Sequence, residues 1–232
     1  MTKYQMVLPH LCRYPSYLNH YKGGRDFKIL DNGVAEGVTT TIDDLFNIAA
    51  QLGAHEIVVP DVMGDCDATI DSALDFRSHM RSGYQYMGVA QGRSMTEVLK
   101  CATALDKMGY MSTLGIPRVL NRTINKTFRQ TLLETILPRE VFNFIDYHCL
   151  GTSEWMQEVK ALADLNNSKL RGIDTSLPCV MGMAEKRIDK HDYRGRAGDF
   201  FGLTPTPYQW EECRVNCVKF LEWAQAPSVS SL

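Results

Sequence analysis

The sequence predicts a parallel α/β fold, a single (β/α)8 TIM-type barrel with outer helices, on three observations. Short apolar runs end abruptly on acidic or amide side chains. Phe27-Lys28-Ile29-Leu30 ends at Asp31, Glu56-Ile57-Val58-Val59-Pro60 at Asp61, and Tyr86-Met87-Gly88-Val89-Ala90 at Gln91. Phe142-Asn143-Phe144-Ile145-Asp146 runs into Tyr147 and His148, and Leu170-Arg171-Gly172-Ile173 ends at Asp174. The runs start roughly 30 residues apart, the length of one strand plus one crossover helix, with residues 111–116 filling the gap between Gln91 and His148. Helical patterns occupy the intervals, which implies a parallel sheet covered on both faces. In such a barrel the C-terminal strand ends converge on one face, so Asp31, Asp61, Gln91, His148 and Asp174 share one mouth.

The elements follow in order. A first strand lies near residues 4–8, and residues 10–26, rich in Tyr, Pro, Gly and His, read as a long loop. Ile42, Leu45, Phe46, Ile48, Ala49 and Leu52 recur at helical spacing, with Gly53 as the stop. Ser94-Met95-Thr96-Glu97 is a capping box opening a helix that carries Val98, Leu99, Ala102 and Leu105 on one side. Residues 125–137 are helical and end at Pro138, and Ser153 begins another helix through Trp155, Met156, Val159 and Leu162. The polar region 185–207 should hide an eighth strand, for which Phe200-Phe201-Gly202-Leu203 is the best candidate. A last helix over residues 208–224 would close the barrel, leaving 226–232 as a frayed tail.

Composition sets the bounds. A chain of 232 residues, 44% of them hydrophobic, fits one barrel domain spanning its whole length. No apolar run reaches the roughly 18 residues of a transmembrane helix, and the N-terminal stretch is too short for a signal peptide. Seven irregularly spaced cysteines point to reduced thiols in a cytoplasm. A net charge of −2 neither implies nor excludes nucleic acid, which only local clustering can address.

The strand-end motifs carry a resemblance. Leu30-Asp31-Asn32-Gly33 resembles the Asp-Ser-Gly-Gly segment of the tRNA-guanine transglycosylases, and Pro60-Asp61 sits where that family has a second Asp. Gly88-Val89-Ala90-Gln91-Gly92 resembles its Gly-Ile-x-Gln-Gly motif, and Cys149-Leu150-Gly151-Thr152-Ser153-Glu154 its Gly-rich Leu-x-Gly-x-Gly-Glu turn. Gly172-Ile173-Asp174 resembles the Gly-Val-Asp run leading to its nucleophile. Asn32 and Glu36 depart from the family pattern, which has Ser and Gln there. The family exchanges a guanine in a polynucleotide for a free 7-deazaguanine. The resemblance implies Asp174 as the nucleophile at C1′ and Asp31 as the general acid/base. It implies Asp61, Gln91, Gly92, Gly151 and His148 around the base. A lone strand-end Asp also serves as a helix cap or turn former, and His148 is equally at home as a structural, hydrogen-bonded residue.

The tRNA-acting members carry a zinc site of three Cys and one His. Here Cys213-x-x-x-Cys217 supplies two cysteines on one helix, so neither a metal nor another cofactor is expected. The resemblance is therefore closest to the compact phage-type DNA-guanine transglycosylases, the DpdA branch. Arg118, Arg122, Lys126 and Arg129 cluster in one connection, and Lys186, Arg187, Lys190, Arg194 and Arg196 follow the nucleophile. Both groups could track a phosphate backbone, although charge runs are usually solvated faces. Tyr193 and Phe200 could stack on a displaced base. The expected partners are DNA and a free 7-deazaguanine, with no membrane; the oligomeric state stays open. The alternatives are the same exchange on tRNA, a non-catalytic nucleic-acid-binding barrel subunit, and a sugar glycosidase. Few aromatics flank the strand ends, which disfavours the last.

Overall fold

Each apolar run is too short to bury itself and so joins a neighbour through backbone hydrogen bonds. In the computed structural model, which describes residues 4–152, 156–190 and 204–224, seven such runs are strands. They are β1 (Tyr4–Val7), β2 (Phe27–Leu30), β3 (Glu56–Val58), β4 (Gln85–Val89), β5 (Thr113–Pro117), β6 (Asp146–Leu150) and β7 (Leu170–Ile173). They pair in chain order, all parallel, in one sheet. The helices α1 (Pro15–Lys22), α2 (Ile42–Leu52), α3 (Cys66–Arg77) and α4 (Met95–Met108) form the first four crossovers. The pair α5 (Val119–Thr123) and α6 (Phe128–Ile136) forms the fifth, and α7 (Met156–Asp164) the sixth. Helices α8 (Leu177–Met183) and α9 (Pro207–Ala224) follow β7.

The sheet is curled. Arg171 on β7 donates to Glu56 on β3 at 2.6 Å and to Thr113 on β5 at 3.3 Å. Its guanidinium also lies 5.0 Å from the centre of the Tyr4 ring on β1. In a flat sheet β7 and β3 would stand four strand spacings apart, roughly 19 Å, beyond the reach of any arginine. The strands therefore wrap around Arg171, which plugs the N-terminal end of a curled, half-barrel sheet compatible with a TIM-like barrel. Its two edges, β1 and β7, do not pair with each other among the described residues. The sequence-based eighth strand, residues 200–203, lies outside those residues.

Alternation along the strands builds two cores. Ile29, Val58, Met87 and Val89 pack inside the curl with Met6, Phe27 and Leu150. The larger cluster between sheet and helices includes Leu30, Phe46, Ile57, Phe76, Leu114 and Tyr147. Gly115 makes room inside: a Cβ there would lie 2.9 Å from Leu150 Cδ1 and 3.0 Å from Met87 Sδ. A third cluster of Val159, Met181, Ile188 and Phe220 joins α7, α8 and α9. At Gly182 a side chain would overlap the backbone of Cys213, so α8 and α9 touch main chain to main chain.

Local signals act where the sequence places them. The Thr41 side chain caps α2 through Asp44 N, and Gly53, at φ 63°, ends it. Ser94 caps α4 through Glu97 N, while Glu97 Oε2 accepts from Arg93 N. Three boundaries differ from expectation. The supposed loop 10–26 holds a 3-10 turn (Pro9–Arg13) and α1, each with a proline in its first turn, where the missing N–H has no partner to lose. Helix α6 begins at Phe128 rather than at residue 125, because the Asn125 side chain accepts from Thr127 N and forms a turn first. Strand β6 begins at Asp146, the residue on which the apolar run ends. Phe142 packs edge-on against Phe144, and Phe144 against Tyr147, ahead of the ladder that pairs Asp146 with Thr113. Asp146 thus sits at the Arg171 end, and His148 lies within the strand.

Candidate active site

The C-terminal strand ends bring five polar side chains together. Asp31 continues the β2 ladder, its N–H donating to Val7 O at 2.9 Å, before the chain turns at Gly33. Gly33, at φ 85°, takes a left-handed conformation and donates its N–H to Asp31 Oδ2 at 3.1 Å. Burial, and then the negative charge of Glu36, push the Asp31 carboxyl up to about 8; Asp174 and Asp61 add to this, against the Gly33 N–H. A carboxyl so placed holds a proton near neutral pH.

Beside it lies a buried amide–carboxylate–amide chain. Asn32 Nδ2 donates to Asp61 Oδ1 at 2.7 Å and to Val59 O at 3.0 Å. Gln91 Nε2 donates to Asp61 Oδ2 at 2.6 Å, and Gln91 Oε1 accepts from Gly64 N. Burial raises the Asp61 pKa, and the two amide donors oppose that. Asn32, noted in the sequence only as a departure from a motif, joins the ends of β2 and β3. Each Asp61 oxygen holds one amide and keeps a lone pair for a further donor.

Asp174 stands at the end of β7. Its Oδ1 accepts from Gly151 N at 2.9 Å and lies 3.3 Å from His148 Nε2. Gly151 adopts φ 67° in the turn after β6, and a Cβ there would lie 3.0 Å from Arg118 Cδ, so glycine satisfies both backbone and space. The Thr152 and Thr175 hydroxyls, 2.6 Å apart, tie the two strand ends together. Below Asp174 a cavity of about 260 Å³ is lined by Tyr4, Met6, Ile29, His148 and Arg171. His148 Nδ1 and Arg171 Nε have no hydrogen-bond partner among the described residues.

Other sequence expectations fare differently. Gly92 is buried against α4, where a Cβ would lie 2.8 Å from Glu97 Cβ and Val98 N; close helix packing accounts for it. Arg118 and Arg122 are exposed around α5. Arg129, grouped with them in the sequence, is completely buried and ion-paired with Glu158, so it leaves the surface cluster. Arg187 commits its guanidinium to a two-pronged pair with buried Glu212, which withdraws it from the cations facing a phosphate. Lys186 and Lys190 are exposed, while Arg194, Arg196, Tyr193 and Phe200 lie outside the described residues. Cys213 and Cys217 are joined by Cys179 from α8, whose Sγ lies 3.8 Å from Cys217 Sγ; no spacing on α9 could reveal that third thiol. Among the described residues no group of three or more His, Cys, Asp or Glu could hold a metal ion, and no helix is long and apolar enough to cross a membrane.

Compared with known proteins, the chain matches no family model and no curated protein.

Proposed function

We propose that the chain is a base-exchange transglycosylase that replaces guanine in DNA with a free 7-deazaguanine, and that its strands belong to a (β/α)8 barrel. One observation carries the reading: Asp174, held by a backbone N–H, and Asp31, a carboxyl that keeps its proton near neutral pH, occupy the ends of β7 and β2 at one mouth. Asp174 Oδ attacks C1′ as the C1′–N9 bond breaks, and the sugar becomes an ester of the enzyme. Asp31 gives its proton to the departing guanine. The incoming base loses its N9 proton to Asp31 as N9 attacks C1′ and releases Asp174, so protons balance over the cycle. Asp61 and Gln91, linked to Asn32, meet the polar edge of the base. The target nucleotide must be unpaired or flipped, because a duplex hides C1′. Lys186 and Lys190, with Arg118 and Arg122, are the cations that could follow the polymer.

The test supplies labelled free 7-deazaguanine with DNA or tRNA and follows label into polymer. Label in DNA is the expected result. Label in tRNA alone would transfer the activity to the other acceptor, and label in neither would end the proposal.

A further inference from the structure

An extended buried polar network lies behind the site. Arg129, on α6, has no solvent exposure. Nε and Nη2 grip the two Glu158 oxygens of α7 at 2.7 and 2.6 Å. Nη1 reaches three carbonyls: Ile116 on β5 at 3.3 Å, Leu150 on β6 at 3.1 Å and Gly151 at 2.8 Å. The Arg129 N–H donates to Asn121 Oδ1 at 3.0 Å, and Asn121 Nδ2 donates in turn to Glu158 Oε1.

A buried ion pair is weak evidence for stability, since two apolar residues of similar size often do as well. The direction of Nη1 therefore calls for another explanation. It holds the carbonyl of Gly151, the residue whose N–H grips Asp174 Oδ1. One guanidinium thus orients the glycine that orients the carboxylate, and lysine, with no planar fork, cannot reproduce the three-sided grip.

We propose that Arg129, locked by Glu158 and Asn121, is a positioning residue that fixes the Gly151 turn and through it aims Asp174. This rests on the reading of Asp174 as the nucleophile. A carboxylate misplaced by about 1 Å loses on the order of a hundredfold in rate. The loss falls on kcat, because Arg129 touches neither base nor sugar.

The test replaces both charges, Arg129→Met with Glu158→Leu, which leaves no uncompensated buried ion. A second variant, Glu158→Gln, keeps Arg129 and loosens its lock. Two readouts are taken on each folded protein. The Gly151 amide proton resonance reports its hydrogen bond to Asp174 Oδ1, and the position it takes in Asp174→Ala serves as the control for loss of that bond. The double variant should shift that resonance toward its Asp174→Ala position and drop kcat about a hundredfold with KM for the free base unchanged; Glu158→Gln should move the same way, less far. A parent-like amide resonance and kcat in both variants would overturn the inference. If the parent itself exchanges no base, the functional reading fails, and the amide resonance alone decides whether Arg129 positions Asp174.

Discussion

Replacing Asp31 with Asn should stabilise the protein at alkaline pH and leave it nearly unchanged in acid. Burial and the Glu36 charge raise the Asp31 carboxyl from 3.8 to about 8. In the unfolded chain an Asp titrates near 3.9. Between those values the folded state holds a proton that the unfolded state has released. Stability then falls by about 1.4 kcal/mol for each pH unit gained. Across about four units the ceiling is roughly 6 kcal/mol, and solvent at the partly exposed edge of the residue reduces it to a few kcal/mol. Below about pH 4 both states hold the proton, and that contribution is fully present. Asn keeps an oxygen for Gly33 N and does not titrate, so the variant lacks the slope. Urea melts of both proteins from pH 4.5 to 9, plotted as variant minus parent, should rise through the window and level off above 8. Other titrating groups, Asp61 among them, are common to both proteins and largely cancel. A flat difference between pH 5 and 8 would refute the reasoning, because Asp31 would then ionise in the ordinary range and could hold no proton for a leaving base.

Further outcomes follow from the same geometry. Asp174→Asn should abolish label transfer while circular dichroism and polymer binding persist, and full activity in that variant would remove it as nucleophile. Gln91→Ala should raise KM for the free base with little change in kcat, as steady-state kinetics would show, since Gln91 acts through Asp61, the proposed partner of the base edge, rather than reaching C1′. Arg171→Met leaves Glu56 buried without its partner and should lower stability by about 3–5 kcal/mol in urea melts. Lys186→Ala with Lys190→Ala should weaken DNA binding for all sequences, and the salt slope should flatten by about 0.7–0.9 for each phosphate no longer neutralised. An unchanged slope would place the polymer elsewhere.

What the sequence determined by itself is what local rules govern. Apolar runs ending on Asp31, Asp61, Gln91 and Asp174 became strand ends because side-chain alternation and the acidic stop are read within a few residues. The cap at Ser94 formed for the same reason. Even locally, prolines in the first turns of α1 and the preceding 3-10 turn resemble a loop, and the aromatic run before β6 resembles the strand itself. The tertiary structure alone decided which polar atoms meet. Asn32 and Gln91 both find Asp61 across strands; Gly151 N finds Asp174 only once β6 and β7 lie in register. Arg129 shows the limit most plainly. Among neighbouring cations it reads as surface charge, yet its carboxylate partner stands 29 residues downstream and its carbonyl partners lie on two strands. A charge can be buried only where donors and acceptors enclose it from several sides. That enclosure is a property of how strands and helices pack together, and no window of sequence contains it.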